Sequence, residues 1–193
     1  MTDGAAVPLK LTIRRASLSD ARGIAQVHLE TWRSAYAGIL PDHVMVNMTL
    51  DGKASAWRSS IAQQGSREAV LAARVSEVGG TGSDVVGFAS CGPQGGSRAT
   101  DKGEVHTLYV LPDWQEQGVG RALLSGCFRV LKSAGMKSAL VWVLADNPSR
   151  FFYQAMGGKA AATRDEPLWG TIVRQVAYHW PDLAALPESI REK

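Results

Sequence analysis

Apolar and polar positions change their period several times along the chain, and each change marks an element. Residues 9–15 alternate apolar and polar, the pattern of a half-buried strand. Ser19 and Asp20 precede a periodic stretch, so they are expected to cap a helix over residues 21–36 that Gly38 and Pro41 end. A second helix is predicted over residues 53–63, stopping at Gly65. Residues 69–75 and 85–90 are apolar or β-branched runs, read as two strands joined by the loop 79–83. A glycine-rich turn covers residues 92–103, and a strand over residues 104–111 stops at Pro112. Val119, Ala122, Leu123, Cys127, Val130, Leu131 and Ala134 then recur at helical spacing over residues 119–134, with Gly135 as the breaker. Residues 139–145 are all apolar, which suits a strand buried on both faces. A helix opening at Pro148 runs to Met156 and ends at Gly157 and Gly158, and strands are expected over residues 159–164 and 172–180.

The resulting order is β-α-α-β-β-β-α-β-α-β-β. Its strand–helix–strand unit from Glu104 to Ala145 requires a locally parallel pair. With no repeat and no long linker, residues 9–182 read as one domain, residues 1–8 as a disordered leader and residues 183–193 as a tail.

Composition narrows the classes. A net charge of +3 over 193 residues, with no block of Lys or Arg, excludes the basic signature of a nucleic-acid binder. Such a slight excess favours a polyanionic small ligand. No apolar run approaches the roughly 20 residues that cross a bilayer, and residues 1–8 lack a signal-peptide pattern, so a cytoplasmic protein without a membrane partner is expected. Cys91 and Cys127 show neither metal spacing nor a CxxC pair, so they read as free buried thiols and no metal is expected.

The chemistry concentrates in Gln115-Glu116-Gln117-Gly118-Val119-Gly120-Arg121, between a strand and an amphipathic helix. A helix start offers unpaired N–H groups and a partial positive dipole, and glycines let an anion approach them. Arg121 adds a fixed charge in the first turn. These features describe a pyrophosphate site; taken alone, Gly118 and Gly120 equally describe a plain strand-to-helix turn. Leu123 does not fit the third small residue of GxGxxG, and the Lys-Ser/Thr pair of a P-loop is missing.

The wider block decides. Glu104-Val-His-Thr-Leu-Tyr-Val-Leu-Pro112, then Gln115-x-x-Gly118-x-Gly120 and Ala122-Leu-Leu, resembles the acetyl-CoA motif of the GCN5-related N-acetyltransferases (GNAT superfamily). Asn147, Pro148, Phe152, Tyr153 and Gly157-Gly158 follow at the spacing of that family's next motif. Trp32 to Pro41 resembles its first helix and loop, and Val176 to Trp180 its last strand, so the likeness covers about residues 9–182. Two departures stand out: Gln117 replaces a frequent Arg, with Arg121 as a partial substitute, and Gly157-Gly158 replaces Gly-Phe.

The resemblance implies an α/β (α+β) fold with a mixed, mostly antiparallel twisted sheet of about seven strands, flanked by helices and holding a splayed parallel pair at the centre. It implies an N-acetyltransferase moving the acetyl group of acetyl-CoA, as cosubstrate, to a primary amine in a ternary complex. Pantetheine would pair with Leu108, Tyr109 and Val110. The pyrophosphate would lie on residues Gln115, Gln117, Gly118, Val119, Gly120 and Arg121, with Phe152 and Asn147 beside the arm. Asn147 equally suits a helix cap. Tyr153 is the implied acid, against a plain packing role, and a backbone N–H near Leu108 the oxyanion donor. Glu104, directly or through water, is the implied base, with His106 as rival; on a regular strand both share one face with Leu108 and Val110. Trp32 and Tyr36 would wall the acceptor pocket, with core packing as the alternative. His28 reads as a satisfied helix histidine, Trp142 as core, and Trp169 as an acceptor or dimer contact. A CoA-binding module without turnover, and an enzyme for another acyl-CoA, are the rival readings. A homodimer follows by analogy with the fold. The amine acceptor is unidentified at this stage.

Overall fold

The computed structural model describes residues 9–35, 48–78, 82–96, 100–168, 170–187 and 190. The expected leader, Gly38, Pro41, Tyr36 and Trp169 lie outside them. Among the described residues, seven strands form one sheet: β1 (Leu9–Arg15), β2 (Ala69–Glu77), β3 (Asp84–Pro93), β4 (Lys102–Val110), β5 (Ser138–Leu144), β6 (Lys159–Leu168) and β7 (Thr171–Trp180). Their spatial order is β1-β2-β3-β4-β5-β7-β6. Among the described residues, only β4 and β5 are parallel; the other neighbours are antiparallel. Four helices of more than one turn are described: α1 (Ala21–Ala35), α2 (Leu50–Gln63), α3 (Val119–Ser133) and α4 (Arg150–Ala155).

Strand alternation sorts the core into two layers. Ala69, Leu71, Ala73 and Val75 of β2 face α3, whose Val119, Leu123, Leu124, Cys127, Phe128 and Leu131 are buried against the sheet. Val70 and Ala72 point the other way, to Ile24 and Val27 of α1, Ile61 of α2 and Phe88 of β3. Burying an aliphatic side chain contributes about 1.5–3 kcal/mol, so the apolar stripe of α3 is what holds that helix to the sheet.

Several expectations are corrected. The cap of the first helical segment lies earlier than Ser19: Asp20 accepts from the N–H and hydroxyl of Ser17, at 2.7 and 2.9 Å. Asp20 has 0% side-chain exposure and also receives Arg14 and Arg74, tying β1, β2 and the start of α1. Helix α2 starts sooner than expected, at Leu50, because the Thr49 side chain accepts the Gly52 N–H at 3.2 Å. Strand β5 is not buried on both faces. Ala139, Val141 and Val143 are buried, whereas Leu140 and Trp142 are half-buried, since the α1–α2 layer packs over β2, β3 and β4 and leaves that side of β5 open. Residues 165–168 and 171, read as loop, prolong β6 and β7. Within the stretch read as a tail, two described residues, Leu183 and Ile190, are buried with α3, and the Leu183 N–H donates to the Lys137 carbonyl at 2.8 Å.

A one-residue insertion shapes the centre of the sheet. Cys91 pairs with Val105 and Ser90 with Thr107, which leaves His106 as an extra residue in β4. Such a bulge sharpens the local twist. The β4–β5 ladder runs only from Lys102–Ser138 to Val105–Val141 and stops where the bulge begins. Beyond that point β4 stays paired with β3 as far as Val110, and β5 with β7 as far as Leu144, so the two strands part.

Candidate active site

Between the parted strands lies a cleft of about 1070 Å³. Its walls are residues 106–110 of β4, residues 141–144 of β5, the turn 115–121, α4 and the end of α1.

At one end stands the helix start. Gly118 caps α3 with φ 83, the left-handed conformation that glycine adopts at least cost. Ala122 N–H, bonded to Gly118 at 3.0 Å, is the first intrahelical donor, so the N–H groups before it have no partner inside the helix. A Cβ on Gly120 would stand 3.4 Å from the Phe152 ring, so the absence of a side chain keeps this passage open. Arg121 folds back toward Gly118, its Nη2 lying 3.7 Å from where a Cβ would be. The two glutamines use their side chains to brace the turn. Gln115 Nε2 donates to the Val110 carbonyl at 3.1 Å, and Gln117 Nε2 to the Asp113 carbonyl at 2.6 Å.

The middle is narrow and apolar, with Leu108, Val141, Val143, Phe152 and Met156 in the wall. Tyr153 belongs to it: the ring is buried, stacks on Tyr178 at 6.1 Å, and meets Phe152 edge-on at 5.1 Å. Asn147 is buried in the same wall and its Oδ1 accepts the Ser149 N–H at 2.8 Å, closing a turn ahead of the helix whose cap is Ser149, in a residue that also faces the cleft. This turn delays α4 to Arg150. Gly158 shows why no bulky residue follows Gly157: a Cβ there would stand 2.8 Å from the Trp180 ring.

The bulge changes the assignment of the β4 side chains. Val105 faces α3 before it and Leu108 and Val110 do so after it, so Glu104 does not share their face as regular alternation required. His106 lines the cleft, whereas Glu104 stands behind it, its Oε1 3.7 Å from His106 Nδ1 and its Oε2 3.5 Å from the Gly95 N–H. Burial opposes the Glu104 charge, but His106, the Gly95 N–H and the more distant Arg164 outweigh it and hold the carboxyl below its ordinary range.

The other end is aromatic. Trp32, Tyr109 and Trp142 line it with Thr31, Thr107 and Gln175. Trp142 is thus a cleft residue rather than core; the Arg164 guanidinium lies 4.1 Å over its ring and donates to Gln175 Oε1 at 2.8 Å. Its signal was hidden in a uniform apolar run, where β-alternation cannot say which face is open. Behind Trp32, His28 is caged by Trp32, Trp57, Phe88 and Tyr109 at centroid distances of 5.2 to 5.9 Å. It is only half satisfied: Nδ1 accepts Trp57 Nε1–H at 3.1 Å, while buried Nε2 has no hydrogen-bond partner among the described residues.

Comparison with known proteins gives a consistent picture. The sequence profile of the acetyltransferase (GNAT) family matches residues 41–157. An uncharacterised N-acetyltransferase, YuaI, of Bacillus subtilis (strain 168) is 35% identical over 176 residues, which is 91% of this chain and 96% of the relative. PaiA N-acetyltransferase of Thermoplasma acidophilum, solved in complex with coenzyme A, superposes with a TM-score of 0.63 at 20% identity, covering 86% of this chain and 98% of its own. YncA of Salmonella typhimurium, solved with its cofactor acetyl-CoA, gives 0.64 at 19% identity, covering 95% and 96%. The two structures carry the likeness of fold.

Proposed function

The chain belongs to the GNAT acetyltransferase family and is an N-acetyltransferase that uses acetyl-CoA, and from that premise we propose how its cleft divides the work. The diphosphate of CoA lies on the N–H groups at the start of α3, from Gln117 to Arg121, with the Arg121 guanidinium alongside. The left-handed Gly118 and the side-chain-free passage at Gly120 fit such a group. The pantetheine arm enters the gap where β4 and β5 part and adds to the free edge at Leu108, Tyr109 and Val110, with Asn147 and Phe152 on the far wall. One observation carries this reading: the parallel ladder ends at Val105–Val141, and the cleft that opens beyond it is also lined by the start of α3.

The reaction then needs three groups. The amine lone pair attacks the thioester carbonyl, its proton leaves to a base, and the C–S bond breaks to a thiolate that takes a proton from an acid. Tyr153 is the acid, since its ring reaches the apolar middle of the cleft. His106, which lines the cleft, takes the amine proton, directly or through water, and Glu104 behind it keeps a negative charge against the imidazole. A backbone N–H near Leu108 receives the developing oxyanion. Trp32 walls the acceptor side; Tyr36 lies outside the described residues. The chain 9–182 acts as one catalytic domain, extended by the packed segment that follows.

The test is Tyr153→Phe. Losing a general acid lowers kcat by roughly 10²–10⁴-fold, while calorimetry should find acetyl-CoA binding within about twofold of the parent. Unchanged turnover removes Tyr153 from the reaction, and failure of the parent protein to bind acetyl-CoA at millimolar concentration removes the cleft assignment.

A further inference from the structure

Two donors, buried His28 and half-buried Lys53, each lie against Trp32 of the cleft wall, outside the lining itself, without an acceptor among the described residues. The first is His28. Trp57 Nε1–H is a donor only, so the His28 Nδ1 it reaches carries the lone pair, and the neutral ring must hold its proton on Nε2. That Nε2–H is buried, in a ring that is 7% exposed, and no described residue accepts from it. Leaving such a donor unpaired is costly, so a partner is expected from outside the described protein atoms.

The second is Lys53 on α2. Its ammonium lies 5.4 Å from the centroid of the Trp32 ring, and the residue is half-buried. Among the described residues no carboxylate stands within ion-pair distance of it. Asp51, its neighbour on α2, is engaged by Arg22 at 3.0 Å. Burial pushes the Lys53 pKa down, and that positive charge in turn adds to the burial that pushes His28 down to about 4. The Trp32 face offsets part of the Lys53 charge but gives no oxygen to either donor. Trp32 and Tyr109, which flank His28, both line the cleft.

We propose that the amine acceptor carries a carboxylate, held by the Lys53 ammonium and the His28 Nε2–H at the α1–α2 wall beside Trp32. The acceptor is therefore of amino-acid type, with the carboxylate at the aromatic end and the amine turned toward the thioester. An anion there supplies both donors at once. A polyamine would bring a second cation against Lys53. This rests on the acetyltransferase reading above and deepens it by naming the acceptor class.

The experiment compares, for each of a set of amino acids, the free acid, its C-terminal amide and the decarboxylated amine. Acetyl-CoA turnover is measured first, and then calorimetric binding of the same compounds to the CoA-loaded protein, which needs no turnover. The expected result is a kcat/KM at least about 30-fold higher for acids than for amides. Lys53→Met should reduce the acids by at least about 30-fold and leave amides unchanged, the low end of what truncating one partner of a hydrogen-bonded charge pair costs. Lys53→Arg should restore part of the preference, which a folding defect would not allow. Equal or better turnover of amides, decarboxylated amines or spermidine overturns the proposal and leaves the acetyltransferase reading intact, as does a Lys53→Met effect that is the same on acids and amides. If no amine is turned over, binding decides: acids bound in preference to amides support the anion site, and no preference overturns it.

Discussion

At the residue scale, a few side chains have surroundings that differ from what their position in the chain suggests. His28 and Asp20 are the clearest. Both are buried and both titrate below their ordinary range, for opposite reasons. Burial, with Lys53 second, holds His28 down to about 4 from 6.5. For Asp20 burial works the other way, and the bonds from Arg14 and Ser17 overcome it, bringing the pKa to about 2 from 3.8. The signs translate into stability. Between pH 6.5 and 4 the unfolded chain protonates His28 and the folded chain does not, so stability falls as pH drops through that window. The loss is on the order of 3 kcal/mol, from about 1.4 kcal/mol per pH unit. The contribution of Asp20 is complete above 3.8 and disappears as pH falls from there toward 2. Urea denaturation of the parent and of His28→Gln at pH 7, 5.5 and 4.5 checks this: the variant should show a flatter decline, and parallel declines would assign the acid sensitivity elsewhere.

At the element scale, two devices build the cleft. One is the bulge at His106, which flips β4 so that Val105 and Leu108 both face α3 and so that the ladder to β5 ends. The other is the start of α3, where Gly118 turns the chain and Gly120 keeps the Phe152 side open. If Gly120 is there for ligand approach and not for the turn, Gly120→Val should raise the Kd for acetyl-CoA by at least tenfold, about 1.4 kcal/mol. Thermal stability should change little, because the helix tolerates valine at a cost below about 1 kcal/mol. An unaltered Kd with a folded variant would detach this turn from the diphosphate. The glycine turn was legible in the sequence because a left-handed cap and a close approach are requirements of the local backbone. The bulge was not, since one extra residue in a strand is visible only against the strand it pairs with.

At the scale of the whole molecule, the sheet is a single surface covered by α3 on one side and by α1 and α2 on part of the other. The uncovered part lies over β5, and the cleft opens there. Closing the α3 layer takes residues from beyond the last strand: Leu183 and Ile190 are buried in it, and Pro187 packs on Gly157. Leu183→Ala is therefore expected to cost about 2–5 kcal/mol, the range for a buried leucine, read as a lower urea midpoint with an unchanged slope. A cost below about 0.5 kcal/mol would mean that this segment covers the core without supporting it. Among the described residues, no helix is long and apolar enough to cross a membrane.

The amino-acid sequence by itself determined the element order, the parallel pair, the glycine turn at the start of α3 and the family, because periodicity, caps and glycine requirements are properties of neighbouring residues. Only the tertiary structure decided that Glu104 stands behind His106, that Trp142 faces the cleft, that His28 and Lys53 both lie against Trp32, and that Leu183 and Ile190 join the core. Each of these depends on which distant strand or helix lies opposite. A pairing register shifted by one residue turns a side chain to the other face, and nothing within the strand itself records that choice.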